Sequence, residues 1–198
     1  MIVSGHEFAP AAPDRSTPVL ETTRLLLRGP RRDDATAIAA LANERRVAEN
    51  TARLPHPYRI EDAEQFIAEA NTRTGDACFV VTLDAAPIGI CSVEQRPDGA
   101  ELGYWLGVPY WGRGFATEAA RAVVDYAFGE LEHEALQSGA RISNPASRRV
   151  LEKCGFQWTG VQLTRIRAIN SAAPIDRFRL DRLLWASLKA WGPMRRVA

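Results

Sequence analysis

The chain has 198 residues, 46% of them hydrophobic and 25% charged, and its 25 basic against 24 acidic residues leave a formal net charge of +1 at pH 7. That length suits one domain with a real core, and the near-average composition excludes a disordered chain. Balanced charge also excludes a polyelectrolyte that gathers nucleic acid or anionic membrane through its overall field. Apolar runs are only a few residues long, too short to span a bilayer. Cys78, Cys91 and Cys154 are odd in number and widely spaced, which gives neither a disulfide framework nor a CxxC metal site. No metal is expected, and a reducing cytoplasm is the expected compartment.

Residues 1–18 carry Pro10, Pro13 and Pro18 among scattered charges and lack the basic start and apolar stretch of a secretory signal. They read as a flexible tail, with the domain over 19–192. The run from Thr22 to Arg28 reads as a strand ended by Gly29-Pro30. Asp33-Asp34 then cap a helix over 35–43, with Ile38, Leu41 and Ala42 at helical spacing. Leu54-Pro55-His56-Pro57-Tyr58 is excluded from helix by its prolines. A second helix starts at Glu61, with Ala63, Phe66, Ile67 and Ala70 on one face.

Three strand-like runs follow, over 77–83, 87–95 and 99–106, separated by turns at Asp84-Ala85-Ala86 and Arg96-Pro97-Asp98-Gly99 as in an antiparallel meander. A long helix opens near Phe115, with Ala116, Ala119, Ala120, Val123, Val124, Ala127, Phe128 and Leu131 as its apolar stripe. A strand over 135–140, a helix over 146–154 and strands over 156–167 and 175–184 complete the pattern. The sum is one α/β domain with a mixed, mostly antiparallel sheet of six to seven strands and about four helices. Leu183, Leu184, Trp185, Leu188 and Trp191 either close the core or bury a dimer contact, so monomer and homodimer both stay open.

Chemistry is concentrated where the strand ending at Leu106-Gly107-Val108 passes through Trp111-Gly112-Arg113-Gly114 into the long helix. Gly112 and Gly114 permit a tight turn and close approach of a ligand. The first helical amides, at Phe115, Ala116 and Thr117, lack intrahelical acceptors and sit at the positive end of the dipole, which suits a phosphate or pyrophosphate. Arg113 adds a charge-assisted contact. The turn lacks the spacing of either nucleoside-triphosphate or dinucleotide motifs. Downstream, Ser143 or Asn144 caps a helix that runs through Ser147 and Leu151 to Gly155.

Together these segments resemble the GNAT acetyltransferase superfamily, and within it the branch that acetylates the N-terminal alanine or serine of ribosomal proteins. The matching pieces are Thr22-Thr23-Arg24-Leu25-Leu26-Leu27-Arg28, Pro55-His56-Pro57-Tyr58, Glu101-Leu102-Gly103-Tyr104-Trp105-Leu106, Trp111 to Ala119, and Asn144-Pro145-Ala146-Ser147 with Leu151 to Phe156. They fall in the family's order over roughly residues 20–185. Trp111 departs from the pattern, standing where Gln or Arg is common, so backbone amides rather than a side chain are expected to hold the phosphate there.

The resemblance implies a GNAT-like fold and acetyl-CoA as cosubstrate. Its pantetheine arm would lie along Leu106, Gly107 and Val108 like an added strand, with Val108-Pro109 marking where that strand leaves its neighbour. Its pyrophosphate would rest on residues Gly112 to Thr117, and Asn144 would touch the pantetheine or orient the acceptor. Glu101, on the fourth predicted strand, is the candidate base, directly or through a water. Ser147 is the candidate acid at the leaving thiolate and Tyr104 the alternative. The acceptor implied is a protein or peptide α-amine. A small-molecule amine is the enzymatic rival, and a non-catalytic acyl-CoA-binding module is the rival from another class. His56 is expected to face solvent, His133 to meet the carbonyls ending the long helix, and Cys154 to face the core.

Overall fold

The computed structural model describes residues 17–72, 75 and 77–190. Most of the expected tail, and Trp191, lie outside that range. Strands β1 (Leu20–Glu21), β2 (Leu26–Arg28), β3 (Ala77–Leu83), β4 (Ala86–Arg96), β5 (Gly99–Leu106), β6 (Ala135–Arg141), β7 (Gln157–Ile166) and β8 (Ser171–Asp181) build one eight-stranded sheet in the order β1-β2-β3-β4-β5-β6-β8-β7. Every pairing is antiparallel except β5 with β6. The helices are α1 (Ala35–Ala42), α2 (Arg45–Ala48), α3 (Ile60–Thr72), α4 (Phe115–Gly129), α5 (Pro145–Lys153) and α6 (Arg182–Ala190).

Alternation along β3 sends Phe79 and Val81 into one core and Cys78 and Val80 into another. The larger core lies under α4 and α5, around Phe79, Leu102, Val123, Phe128, Leu136 and Phe178. The second packs Ile38 of α1 and Ile67 of α3 with Val80, Ile90 and Tyr58. Each such fully buried side chain contributes about 1.5–3 kcal/mol relative to exposure. A buried ion pair staples β2 to the start of α1, where Arg28 donates from both Nη atoms to Asp34 at 2.7 and 2.8 Å.

The architecture is the expected α/β class, with one more strand and two more helices than the upper expectation. The run from Thr22 to Arg28 is not one strand. Thr22 folds back on Leu25, its hydroxyl bonding the Leu25 backbone and its amide donating to the Leu25 carbonyl at 2.9 Å, so the segment becomes a β1–β2 hairpin. The additional helices are the single turn α2 and the terminal α6. The last strand stops at Asp181 rather than 184, because α6 swings Trp185 onto Phe128 (ring centroids 5.1 Å apart) and its indole N–H donates to Asp125 at 2.7 Å. Leu184 and Trp185 thus help to close the core, whereas Leu183 is 83% and Leu188 48% exposed.

The feature that positions the site is the opening between β5 and β6. Their parallel ladder lasts only from Ala100 opposite Leu136 to Glu101 opposite Gln137, while β4 follows β5 as far as Leu106. Beyond the second rung the Ser138 hydroxyl, not a backbone amide, donates to the Leu102 carbonyl at 2.8 Å, and the strands part. The separation expected at Val108-Pro109 therefore begins at Leu102. Val108–Tyr110 forms a short 3-10 turn instead.

Candidate active site

Register decides what the opening offers. Gly107 donates its N–H to Ile88 of β4 at 2.9 Å, and antiparallel alternation then turns the backbone groups of Leu102, Tyr104 and Leu106 away from β4 toward the gap. The Leu102 carbonyl already accepts the Ser138 hydroxyl. The Leu106 carbonyl accepts the Trp111 indole N–H at 2.7 Å, so Trp111 braces the strand end against the glycine turn. Of the three residues expected to pair with an extended arm, Leu106 faces the gap. Gly107 does not: its amide is committed to Ile88, and its carbonyl to the Tyr110 amide at 2.9 Å. Val108 gives its carbonyl to the Trp111 amide at 3.1 Å.

Gly112 (φ +72) and Gly114 (φ +81) occupy the left-handed region, and Gly114 caps α4. The first bond of that helix runs from the Glu118 amide to Gly114, leaving the amides of Phe115, Ala116 and Thr117 without helical acceptors. Arg113 and Arg24 lie over the Phe115 ring at 4.7 and 4.5 Å, adding positive charge at the same place. Glu118 holds Arg24 at 2.6 Å and also accepts from the Thr22 hydroxyl. Burial raises its carboxyl, but the bonds from Thr22 and Arg24 outweigh that and keep it below the usual range. Helix amides without acceptors, flanked by two guanidiniums, suit a pyrophosphate, and the gap beginning beside Leu102 suits an extended arm.

A cleft of about 700 Å³ is floored by β4, β5, β6, β7 and β8, roofed by α3 and the 50–58 loop, and also lined by Ser147 of α5. Glu101 lines it. Its Oε1 accepts from Arg177 at 2.8 Å, and its Oε2 lies 3.6 Å from Arg96. Tyr104 and Ser147 also line the cleft, and they act as one unit. Their oxygens are 2.8 Å apart, and the phenol also lies 3.0 Å from the Ser147 carbonyl. Burial raises the Tyr104 phenol well above its ordinary value despite the Ser147 bond, so it stays protonated. Asn144 lies outside the lining. It caps α5, its Oδ1 accepting the Ser147 amide at 3.1 Å, and so sets the position of Ser147.

Sequence reasoning missed Glu94. On β4, it stands directly opposite Glu101 of β5 and is held by Arg53 through two 2.6 Å bonds and by Arg96 at 2.5 Å. Burial raises its carboxyl, and the guanidiniums more than reverse that. Counting back from the Arg96–Gly99 turn pairs positions 94 and 101, so the signal was present in the turn. Arg53, Arg96 and Arg177 come from separate parts of the chain, and no local motif announces them.

His56 is exposed, and only its neighbour Pro55 lines the cleft. His133 meets the end of α4 through its backbone, donating to Ala127 at 3.2 Å, and burial followed by Arg182 lowers its imidazole. Cys154 is buried, and burial pushes its thiol up to about 11.

A strand pair that parts after two rungs lies beside a glycine-capped helix N-terminus, and polar groups stand on both sides of the gap. The acetyltransferase (GNAT) domain model matches residues 24–157, and the N-acetyltransferase YoaA of Bacillus subtilis is 33% identical over 152 residues, 73% of this chain and 85% of that protein. The chain belongs to the GNAT acetyltransferase family and is an acetyl-CoA-dependent N-acetyltransferase. Among solved structures, RimJ of Mycobacterium smegmatis in complex with a CoA-disulfide superposes with a TM-score of 0.75 at 18% identity, covering 89% of this chain and 95% of that one. Spermidine N-acetyltransferase of Vibrio cholerae gives 0.72 at 20%, covering 83% and 99%. Both likenesses concern the fold. Among the described residues, no helix is long and apolar enough to cross a membrane.

Proposed function

We propose that the chain acetylates a protein or peptide N-terminal α-amine, as a member of the ribosomal-protein branch of its family. The observation that carries this reading is the charge pattern of the cleft. Arg53, Arg96, Arg141, Arg167 and Arg177 are interleaved with Asp62, Glu69, Glu94, Asp98 and Glu101. A polyamine needs an excess of carboxylate, and here Glu94 and Glu101 are already engaged by guanidiniums. A peptide end has one ammonium followed by amides, which suits a cleft whose acids are matched in number by guanidiniums and which offers many donors.

Acetyl-CoA supplies an activated thioester. The amides from Gly112 to Thr117, with Arg113, bind its pyrophosphate, and the Leu106 N–H and the open side of β5 take its arm. Glu101, aimed by Arg177, takes the proton of the incoming amine on the cleft side, directly or through one water. Tyr104, oriented by Ser147, donates a hydrogen bond toward the departing sulfur on the other side. A phenol with a raised pKa gives up its proton less readily than an ordinary thiol, so its part is to stabilise developing charge rather than to transfer a proton completely. Base and donor thus approach the gap from opposite faces of β5. That arrangement serves direct transfer with both substrates bound, and the buried, protonated Cys154 is unsuited to carry the acetyl group.

The experiment is thiol release from acetyl-CoA with peptides beginning Ala or Ser, set against spermidine and free amino acids. Peptide turnover at least tenfold above every small amine is expected. Turnover with spermidine but not with peptides would overturn the reading.

A further inference from the structure

Ion pairing leaves the two ends of the acceptor cleft electrically different. At one end, under β4 and β5, Glu94 and Glu101 share Arg53, Arg96 and Arg177. At the other stand Arg141, at the end of β6, and Arg167, in the 3-10 turn after β7, and both line the cleft. Among the described residues neither guanidinium has a carboxylate partner. Arg141 donates to the Glu49 carbonyl at 2.6 Å, while the Glu49 carboxylate is held by Arg45 at 2.6 Å. Arg167 is fixed through its backbone, its amide donating to the Ala52 carbonyl at 3.0 Å. The Arg141 side chain and the Arg167 backbone are thus tied to residues three apart, Glu49 and Ala52, where α2 gives way to the roof loop.

From this layout we infer that the Arg141–Arg167 end is an anion subsite, and that preferred acceptors carry a carboxylate a few residues after the amine. The inference rests on the peptide reading above. Its spacing follows from the sheet. Glu101 is level with Gln137 on β6, and Arg141 lies four positions further along that strand. Four strand positions span roughly 13 Å, as do about four residues of extended peptide. An amine at Glu101 therefore sets a side chain at about the third to fifth acceptor residue beside Arg141 and Arg167. Guanidiniums grip a carboxylate through paired donors, so aspartate or glutamate there gains a charge-assisted contact that glutamine lacks, while lysine is repelled.

Three peptides with one common N-terminal sequence, differing only in Glu, Gln or Lys at the fourth residue, test this through kcat/KM from thiol release. Glu is expected to exceed Lys by roughly tenfold, an advantage that shrinks as salt rises. In Arg167→Gln, a surface change in an exposed turn, the Glu to Lys ratio should fall severalfold, and in Arg141→Gln/Arg167→Gln it should approach one. Equal rates for all three peptides with the parent enzyme would overturn the subsite while leaving the peptide reading intact. Acetylation of none of them, alongside normal acetyl-CoA binding, would overturn both. A Glu preference that survives the double substitution would also overturn the assignment to these arginines.

Discussion

Trp111→Phe isolates the brace between the strand end and the glycine turn. The indole N–H donates to the Leu106 carbonyl at 2.7 Å across a five-residue separation, and the side chain is 42% exposed. Phenylalanine keeps most of the ring and removes only the donor. A neutral hydrogen bond contributes about 0.5–1.5 kcal/mol net. At about 1.4 kcal/mol per tenfold in affinity, acetyl-CoA binding should weaken roughly two- to twelvefold. On the proposed placement of the donor, the bond fixes the glycine turn relative to the Leu106 edge, and a loosened turn must be ordered on binding. Isothermal titration with acetyl-CoA and with an acetylated pantetheine lacking the pyrophosphate separates the contributions. The shorter ligand, which engages only the strand side, should lose less. Unchanged acetyl-CoA affinity in a Trp111→Phe protein that melts earlier would reduce the brace to a stability element and refute the coupling.

Asp34→Ala leaves the Arg28 guanidinium buried without its partner and should destabilise the fold by about 3–5 kcal/mol, read as a fall in the denaturant midpoint. Burial raises the Asp34 carboxyl, but Arg28 and the Arg31 amide bring it below its ordinary value of 3.8, so its contribution is complete above about pH 5 and is lost as pH falls through the lowered value. The acid limb of a stability curve should therefore flatten in the variant, and an unchanged limb would contradict the assignment. Gly89→Ala would place a Cβ 2.2 Å from the Trp105 carbonyl oxygen and 2.7 Å from the Leu106 Cα, both backbone atoms that cannot step aside. It should unfold more readily by several kcal/mol or fail to accumulate, and near-parental stability would mean that β4 and β5 are not so closely apposed. Tyr104→Phe and Ser147→Ala should each lower kcat by about 10²-fold with little change in acetyl-CoA affinity, and the double variant should be scarcely worse than either. Additive losses would show independent roles. Glu101→Gln should lower turnover with acetyl-CoA affinity preserved, and parental turnover across about pH 6–9 would remove Glu101 from the mechanism.

Where the sequence spoke clearly, one local cause governed the outcome. The meander over β3, β4 and β5 follows from alternation and turn residues, and α4 follows from its glycine cap and apolar stripe. The hairpin at Thr22, a local turn onto Leu25 that remote partners reinforce, and the early end of β8 were less legible. Glu118 holds Thr22 and Arg24 from 96 and 94 residues away, and the turn at Asp181 depends on Phe128 and Asp125 receiving Trp185. The site divides in the same way. Glycines, a capped helix and single acids have local signatures. The arginines that engage Glu94 and Glu101 come from the roof loop, the β4 end and β8, and only the assembled cleft unites them.

The Thr22–Arg24–Glu118 cluster joins pieces of sequence 94 and 96 residues apart. Glu118 sits in the first turn of α4, where a carboxylate opposes the positive end of the dipole that an incoming pyrophosphate would use. Left uncommitted, that charge would weaken the anion cradle. Thr22 and Arg24 absorb it, taking both carboxylate oxygens, while Arg24 also reaches the Arg113 carbonyl at 3.1 Å and covers Phe115. The hairpin thereby pins the glycine turn from outside, with Arg113 beside Arg24 over the Phe115 ring. Removing the N-terminal hairpin contact should thus damage donor binding as much as stability, because the same three residues shape the cradle and set its charge.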